Sequence, residues 1–132
     1  MNSVALDYYC PSADEPLFST NYVAVVGEET VWPGTRGMLL GNVTDGKSKT
    51  IAVVEVANTG IHWMEPRDLT FEEAQRGINV PGIKSGISSN HVGGALCLFC
   101  DGEVHFLTNK VRPDTLRALL TAEGGERVAI PD

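Results

Sequence analysis

The sequence contains three histidines, whose imidazole groups suit proton transfer and metal binding near neutral pH: His62, His91 and His105. His91 follows closely on Ser88 and Ser89. A serine hydroxyl that passes its proton to a nearby imidazole becomes a nucleophile, so this segment allows a hydrolase built on His91. The chemistry would also require a carboxylate that orients the ring.

The carboxylate that could complete such a dyad is Asp101, but geometry argues against the pairing. A strand from Ala95 to Asp101 advances about 20 Å, at about 3.3 Å per residue. His91 would then lie at the open end of a hairpin whose turn contains Asp101. We predict instead that His91 is structural and contacts the backbone near Thr108 or Asn109, and that Asp101 is a turn residue.

A second group of polar residues surrounds Trp63 and could hold a divalent cation. His62, Glu65 and Asp68 combine an imidazole with two carboxylates. Asp45, which precedes a glycine, is a further candidate ligand for calcium, although its loop lacks the alternating oxygen ligands of an EF-hand. The alternative is an exposed acidic loop anchored by a buried Trp63. The sequence implies no cofactor firmly, and calcium is the ion that these oxygen ligands allow.

Glu55 interrupts the apolar run of the clearest strand in the sequence, residues 50–57. A buried carboxylate without a partner is costly, so Glu55 must either face solvent or be paired. Arg67, Arg117 or a backbone donor could supply the partner. We predict a buried ion pair between Glu55 and Arg67.

The three cysteines are Cys10, Cys97 and Cys100. Cys97 and Cys100 have the CxxC spacing of redox centres and half zinc sites. In a strand, however, side chains three positions apart point to opposite faces of the sheet. No second CxxC is present, so we predict buried, small apolar side chains and leave their redox state open.

These residues are set in a pattern of strands and short helices. Strands are predicted at 22–26 and 50–57, and a hairpin at 95–100 and 103–108 around Asp101-Gly102, with helices at 70–76 and 112–122. The first helix has a capping box, Thr70 and Glu73. An irregular lead-in (1–20) and a long connection (58–90) complete a single domain, 1–132. The pattern predicts an α+β fold with an antiparallel sheet and few short helices.

The hairpin sequence also predicts which side chains form the core. A two-residue type I′ turn at Asp101-Gly102 would place Phe99 opposite Val104 and Cys97 opposite Phe106. Phe99 and Phe106 would then share the core face. Trp63 and the helical stripe of Leu116 and Leu119 are the other predicted core residues.

The composition argues against binding to nucleic acid and against a membrane-spanning segment. The 132 residues include 17 acidic and 10 basic side chains, for a net charge of -7, which disfavours binding to nucleic acid. No apolar run is long enough for a spanning helix, and no signal peptide is expected.

Several motifs together resemble one family. His91, nine intervening residues and Asp101-Gly102 match the His-x9-Asp-Gly signature of a pseudopilin-like family of unknown function, known as domain of unknown function 1559 and also as a bacterial solute-binding protein family. Further segments that are similar to the family occur in order: Cys-Pro-Ser at 10–12, Thr-Asn-Tyr-Val-Ala-Val-Val-Gly at 20–27, Val-Glu-Val at 54–56, Trp-Met-Glu-Pro-Arg-Asp-Leu at 63–69 and Thr-Leu-Arg-Ala-Leu-Leu at 115–120.

The resemblance implies the globular head of a type II secretion or type IV pilin-like protein, without the N-terminal helix of full-length members. It implies a non-enzymatic domain in the periplasm or at the cell surface, membrane-anchored in the full-length form. The partners would be other pilin-like subunits or envelope proteins, and membrane contact would come only through the missing helix. The alternatives are a metal- or ligand-binding module that uses the connection 58–90, since some secretion pseudopilins bind calcium in a loop, and the hydrolase.

Overall fold

A five-stranded sheet organises the protein, in the order β3-β1-β2-β4-β5. The computed structural model describes residues 6–13, 16, 18–33, 37, 41, 43, 46–83 and 85–122. The strands are β1 (Tyr22–Val26), β2 (Ile51–Glu55), β3 (Leu69–Thr70), β4 (Gly94–Phe99) and β5 (Val104–Thr108). Neighbouring strands are antiparallel, except that β1 and β3 run parallel. The predicted α+β fold with a mostly antiparallel sheet is confirmed.

Two short α-helices accompany the sheet, α1 (Phe71–Ala74) and α2 (Pro113–Leu120). The predicted capping box begins α1: the Thr70 hydroxyl accepts the Glu73 N–H, and the Glu73 carboxylate accepts the Thr70 N–H. In α2, Pro113 occupies the first turn, where its missing N–H costs no helical hydrogen bond. In the part of the chain that the structure describes, no helix has both the length and the apolar character to cross a membrane.

The main core lies between one face of the sheet and the two helices. Alternate residues of β1, Val23 and Val25, point to this face and are buried. From α2, Leu116 and Leu119 are fully buried against it, as the helical spacing predicts. Trp63, by contrast, is only half-buried and stacks on the Tyr8 ring at 6.0 Å between centroids, so its predicted place in the core is wrong.

The register of the β4–β5 hairpin differs from the prediction by one residue. Leu98 pairs with Val104 and Leu96 with Phe106. The loop has three residues, because the Phe99 N–H donates to the Glu103 carbonyl and Gly102 adopts a φ of 88°. A glycine with positive φ at the third loop position makes a bulge, and this turn competes with the two-residue turn for the same Asp-Gly sequence.

This shift places every side chain of β5 on the opposite face from the prediction. Phe99 is 1% exposed, whereas Phe106 is 42% exposed and Val104 is 56% exposed. The core assignment of Phe106 is therefore wrong, and His105 instead meets the Phe99 ring edge-on at 5.0 Å between centroids. The far end of the hairpin requires Gly94, where a β-carbon would collide with the carbonyl oxygen of Leu107.

Candidate functional site

Three side chains from distant parts of the sequence meet at the end of β2. They are the thiol of Cys10, the carboxylate of Glu55 and the imidazole of His91, and one ligand atom from each lies within 4.8 Å of the others. We call these residues the Cys10–Glu55–His91 cluster. Among the described residues, no other group of three histidine, cysteine or acidic side chains comes as close together.

Cys10 is placed by a buried asparagine next to the start of β1. The Cys10 N–H donates to Oδ1 of Asn21 at 2.8 Å. The amide group of Asn21 in turn donates to the carbonyl oxygens of Val56 and Ala57, each at 3.2 Å. These bonds connect the lead-in segment to the chain that follows β2, so the thiol is fixed beside Glu55 and is only 3% exposed as a residue.

Glu55 is the last residue of β2 and is 1% exposed. Its Oε2 accepts the Leu96 N–H at 3.0 Å. Its Oε1 lies 3.2 Å from Nε2 of His91, but no donor is aligned to give it a hydrogen bond. The prediction that Arg67 pairs with Glu55 is wrong, because Arg67 contacts Glu65 at 2.6 Å on the surface.

His91 lies in the turn that leads into β4. The backbone N–H of His91 donates to Oγ of Ser89 at 3.0 Å, and the Ser89 hydroxyl donates to the Gly94 carbonyl oxygen. The ring points toward the cluster, with Nε2 at 3.4 Å from Sγ of Cys10. The predicted contact of His91 near Asn109 is wrong, since the Asn109 N–H donates to the Gly93 carbonyl oxygen instead.

Burial dominates the electrostatics of this region. It raises the pKa of the Cys10 thiol, and the neighbouring Glu55 raises it further. Tyr22 pairs with Glu55 across β1 and β2, and burial followed by the effects of Cys10 and Glu55 raises its pKa to about 12. The Cys10 thiol and the Tyr22 hydroxyl therefore stay protonated at neutral pH unless a positively charged group binds next to them.

Among the described residues, the predicted ligands His62, Glu65 and Asp68 do not form a group that could hold a metal ion. Nδ1 of His62 accepts the Met64 N–H, and Oδ1 of Asp68 accepts the Ala24 N–H. Glu65 pairs with Arg67. Asp45 lies outside the described residues.

The residues of the predicted hydrolase are also apart or otherwise bonded. Oγ of Ser88 donates to the Gly86 carbonyl oxygen and accepts the Ala57 N–H. Ser89 is bonded to the backbone of the turn, as described above. Asp101 lies in the turn of the hairpin, where Oδ1 accepts the Glu103 N–H at 3.0 Å, so its contact is the structural one that the sequence predicts.

A second candidate region is the face of the sheet opposite the main core. Apart from the buried Glu55 at the end of β2, this face carries apolar residues on β2, β4 and β5 that are half-buried or exposed. Of these, Val53 packs against a small second cluster of buried residues, Val31, Val43, Ala52 and Ala122. We call this region the open sheet face, and it consists of Val53, Leu96, Leu98, Val104 and Phe106. This face could not be predicted from the sequence, because the two-residue turn assumed for the hairpin placed Val104 and Phe106 in the core.

The reactivity of Cys97 and Cys100 toward an alkylating reagent at pH 8 tests how deeply each cysteine is buried. Burial, followed by the charge of Glu55, raises the pKa of Cys97 to about 12, so very little of it is the reactive thiolate at pH 8. Burial and then Asp101 also raise the pKa of Cys100, but its side chain is only half-buried and can be reached by a reagent. We expect iodoacetamide at pH 8 to label the half-buried Cys100 well before Cys97 in the folded protein, as measured by mass spectrometry. Unfolding in urea should make both react, and equal rates in the folded state would contradict the expectation.

Fold and site together define a small α+β domain with a buried polar cluster at one end of its sheet and, in the described part of the chain, apolar side chains that are half-buried or exposed on one face. Residues 57–114 match the family described as "Protein of unknown function (DUF1559)", which confirms the family resemblance over that part of the chain. The matched residues include the His91, Asp101 and Gly102 signature, but not Cys10 or Glu55. No curated protein and no solved structure matches the chain.

Proposed function

We propose that this chain is a non-enzymatic head domain of a pilin-like protein and acts by binding other proteins. The observation that supports the proposal is the open sheet face. A soluble domain seldom leaves neighbouring apolar side chains uncovered without a partner, and here Val104 and Phe106 are 56% and 42% exposed. The occupant that we propose is one apolar α-helix of a pilin-like subunit.

The dimensions of the face suit such a helix. Adjacent strands are about 4.8 Å apart, so the three strands β2, β4 and β5 span about 10 Å. That width is close to the diameter of an α-helix with its side chains, about 10 Å. The protein covers the other face with α2, whereas the open sheet face would receive its helix from a partner.

The proposal includes a location and an anchor. Pilin-like proteins carry their heads outside the cytoplasm on an apolar helix that is held in the membrane. The resemblance implies both features for full-length relatives, and we extend them to this protein. Its partners would accordingly be pilin-like subunits or envelope proteins, and its net charge of -7 is unfavourable for nucleic acid.

Photo-crosslinking in the native cells tests this proposal. A photoreactive phenylalanine analogue at position 106 should trap a peptide that mass spectrometry identifies as the apolar helix of a pilin-like subunit. Position 92 is the matched control, because Val92 is 97% exposed but lies in the turn before β4. The absence of adducts at position 106, or the same adduct at position 92, would overturn the proposal.

A further inference from the structure

We propose that the Cys10–Glu55–His91 cluster is a binding site for a divalent transition metal of the zinc type. This inference does not rest on the proposed function, because it concerns other residues and a different ligand. It rests on the arrangement of the three donor atoms and on a buried carboxylate oxygen that has no hydrogen-bond partner.

Two of the three distances between the donor atoms match those between ligands of one zinc ion, and all three atoms lie within 4.8 Å of one another. Zinc bonds to sulfur at about 2.3 Å and to nitrogen or oxygen at about 2.0 Å, so tetrahedral ligands lie about 3.5 Å (sulfur to nitrogen) and about 3.3 Å (nitrogen to oxygen) apart. In the protein, Nε2 of His91 is 3.4 Å from Sγ of Cys10 and 3.2 Å from Oε1 of Glu55.

The same ring nitrogen faces both other groups, which distinguishes this cluster from a cysteine nucleophile with a general base. In such a triad the imidazole uses one nitrogen for the nucleophile and the other for the carboxylate. Here Nε2 faces both Sγ and Oε1, and one nitrogen has a single position for either a proton or a lone pair. A metal ion between the three atoms would satisfy all of them.

The environment of the Glu55 carboxylate supports the metal site independently of these distances. Oε1 of Glu55 is buried in a residue that is 1% exposed, and no donor is aligned to give it a hydrogen bond, although the Cys10 thiol lies close enough to act on this carboxylate. Such atoms are rare because each loses the solvation that water provided. Oε2 is held by the Leu96 N–H, an arrangement that orients a carboxylate so that its other oxygen faces a metal.

The donor types select the metal. A thiolate and an imidazole favour zinc and similar ions, whereas calcium and magnesium prefer oxygen ligands. A divalent ion would also balance the two negative charges of the Glu55 carboxylate and an ionised Cys10. The described residues supply three ligands, and the 33% exposed side chain of His91 provides a route to solvent for the ion.

Titration with Co²⁺ tests the site, because cobalt occupies zinc sites and a cobalt–thiolate bond gives strong near-ultraviolet absorption. The reduced protein, freed of metal by a chelator, is expected to bind one equivalent and to show this band. Zn²⁺ should displace the cobalt, because zinc prefers tetrahedral sites with thiolate and imidazole ligands, and Ca²⁺, which prefers oxygen ligands, should not. Absence of the band, or displacement by Ca²⁺, would overturn the inference.

Two cysteine variants assign the band to Cys10. The Cys10→Ser variant should lose the band and bind Co²⁺ at least about tenfold more weakly. Cys100→Ser is the matched control and should retain both band and affinity, because Cys100 is outside the cluster. A band that survives Cys10→Ser, or that disappears in Cys100→Ser, would overturn the inference. If Cys10→Ser fails to fold, Glu55→Gln replaces it and should weaken binding by a similar factor, and unchanged affinity would overturn the inference.

Discussion

Replacing Phe99 with alanine is expected to lower the free energy of unfolding by about 3–5 kcal/mol, as measured by urea denaturation. Phe99 is 1% exposed, belongs to the main core and meets the edge of the His105 ring. Truncation removes the transfer free energy of the ring and leaves a cavity that close-packed neighbours fill only in part. A loss of this size is a large fraction of the stability of a small domain.

The same substitution at Phe106 is the matched control, since it changes an identical side chain in the same hairpin. Phe106 is 42% exposed on the open sheet face, so Phe106→Ala is expected to cost about 1 kcal/mol. The difference depends on the register, because the two-residue turn would have buried both rings. Equal losses for the two variants would contradict the three-residue loop.

Local patterns in the sequence were sufficient to find both α-helices and every strand except the two-residue β3. A β-rich apolar run identified β1, helical spacing identified α2, and a hydroxyl followed three residues later by a carboxylate identified the start of α1. The hairpin shows the limit of such patterns. Asp101-Gly102 specifies a turn, but whether Gly102 occupies the second or the third loop position depends on how the whole hairpin packs, here with Leu107 buried and Phe106 exposed. That is a property of the folded sheet.

The cluster could be predicted only in part for a related reason. Glu55 was expected to be buried and paired, because an isolated carboxylate in an apolar strand is costly. Its partners could not be found from spacing, since Cys10 and His91 approach it only when the lead-in packs on Asn21 and the turn before β4 closes. Arg67, the predicted partner, instead pairs with Glu65 at the surface, where neither charged group has to lose as much of its hydration as it would beside the buried Glu55.

The two faces of the sheet therefore have different roles, one in stability and the other in the proposed binding. The face that α2 covers provides the stability, because its residues include the most deeply buried apolar side chains. The opposite face holds the Cys10–Glu55–His91 cluster at one end and the open sheet face beside it. Both proposed interactions use this second face, so substitutions there are expected to change binding more than stability, with one exception.

The exception is His91, whose replacement by alanine should lower the free energy of unfolding by about 1–3 kcal/mol. His91 supplies the imidazole that lies 3.2 Å from Oε1 of Glu55, an oxygen that has no aligned hydrogen-bond donor among the described residues. Removing the imidazole takes away the polar group that faces this buried carboxylate oxygen and leaves its loss of solvation uncompensated. The measurement is urea denaturation at pH 7 with a chelator present, so that bound metal does not contribute.

A double-mutant cycle separates this charge effect from lost packing. Glu55→Gln removes the charge and keeps an amide oxygen that can accept the Leu96 N–H. Introduced into the His91→Ala protein, it should restore most of the lost stability, because no uncompensated carboxylate remains. Val92→Ala, a neighbouring change at a 97% exposed side chain, should alter stability by less than about 0.5 kcal/mol. If Glu55→Gln restores nothing in the His91→Ala background, His91 stabilises the fold by packing alone, and the electrostatic account of the cluster is wrong.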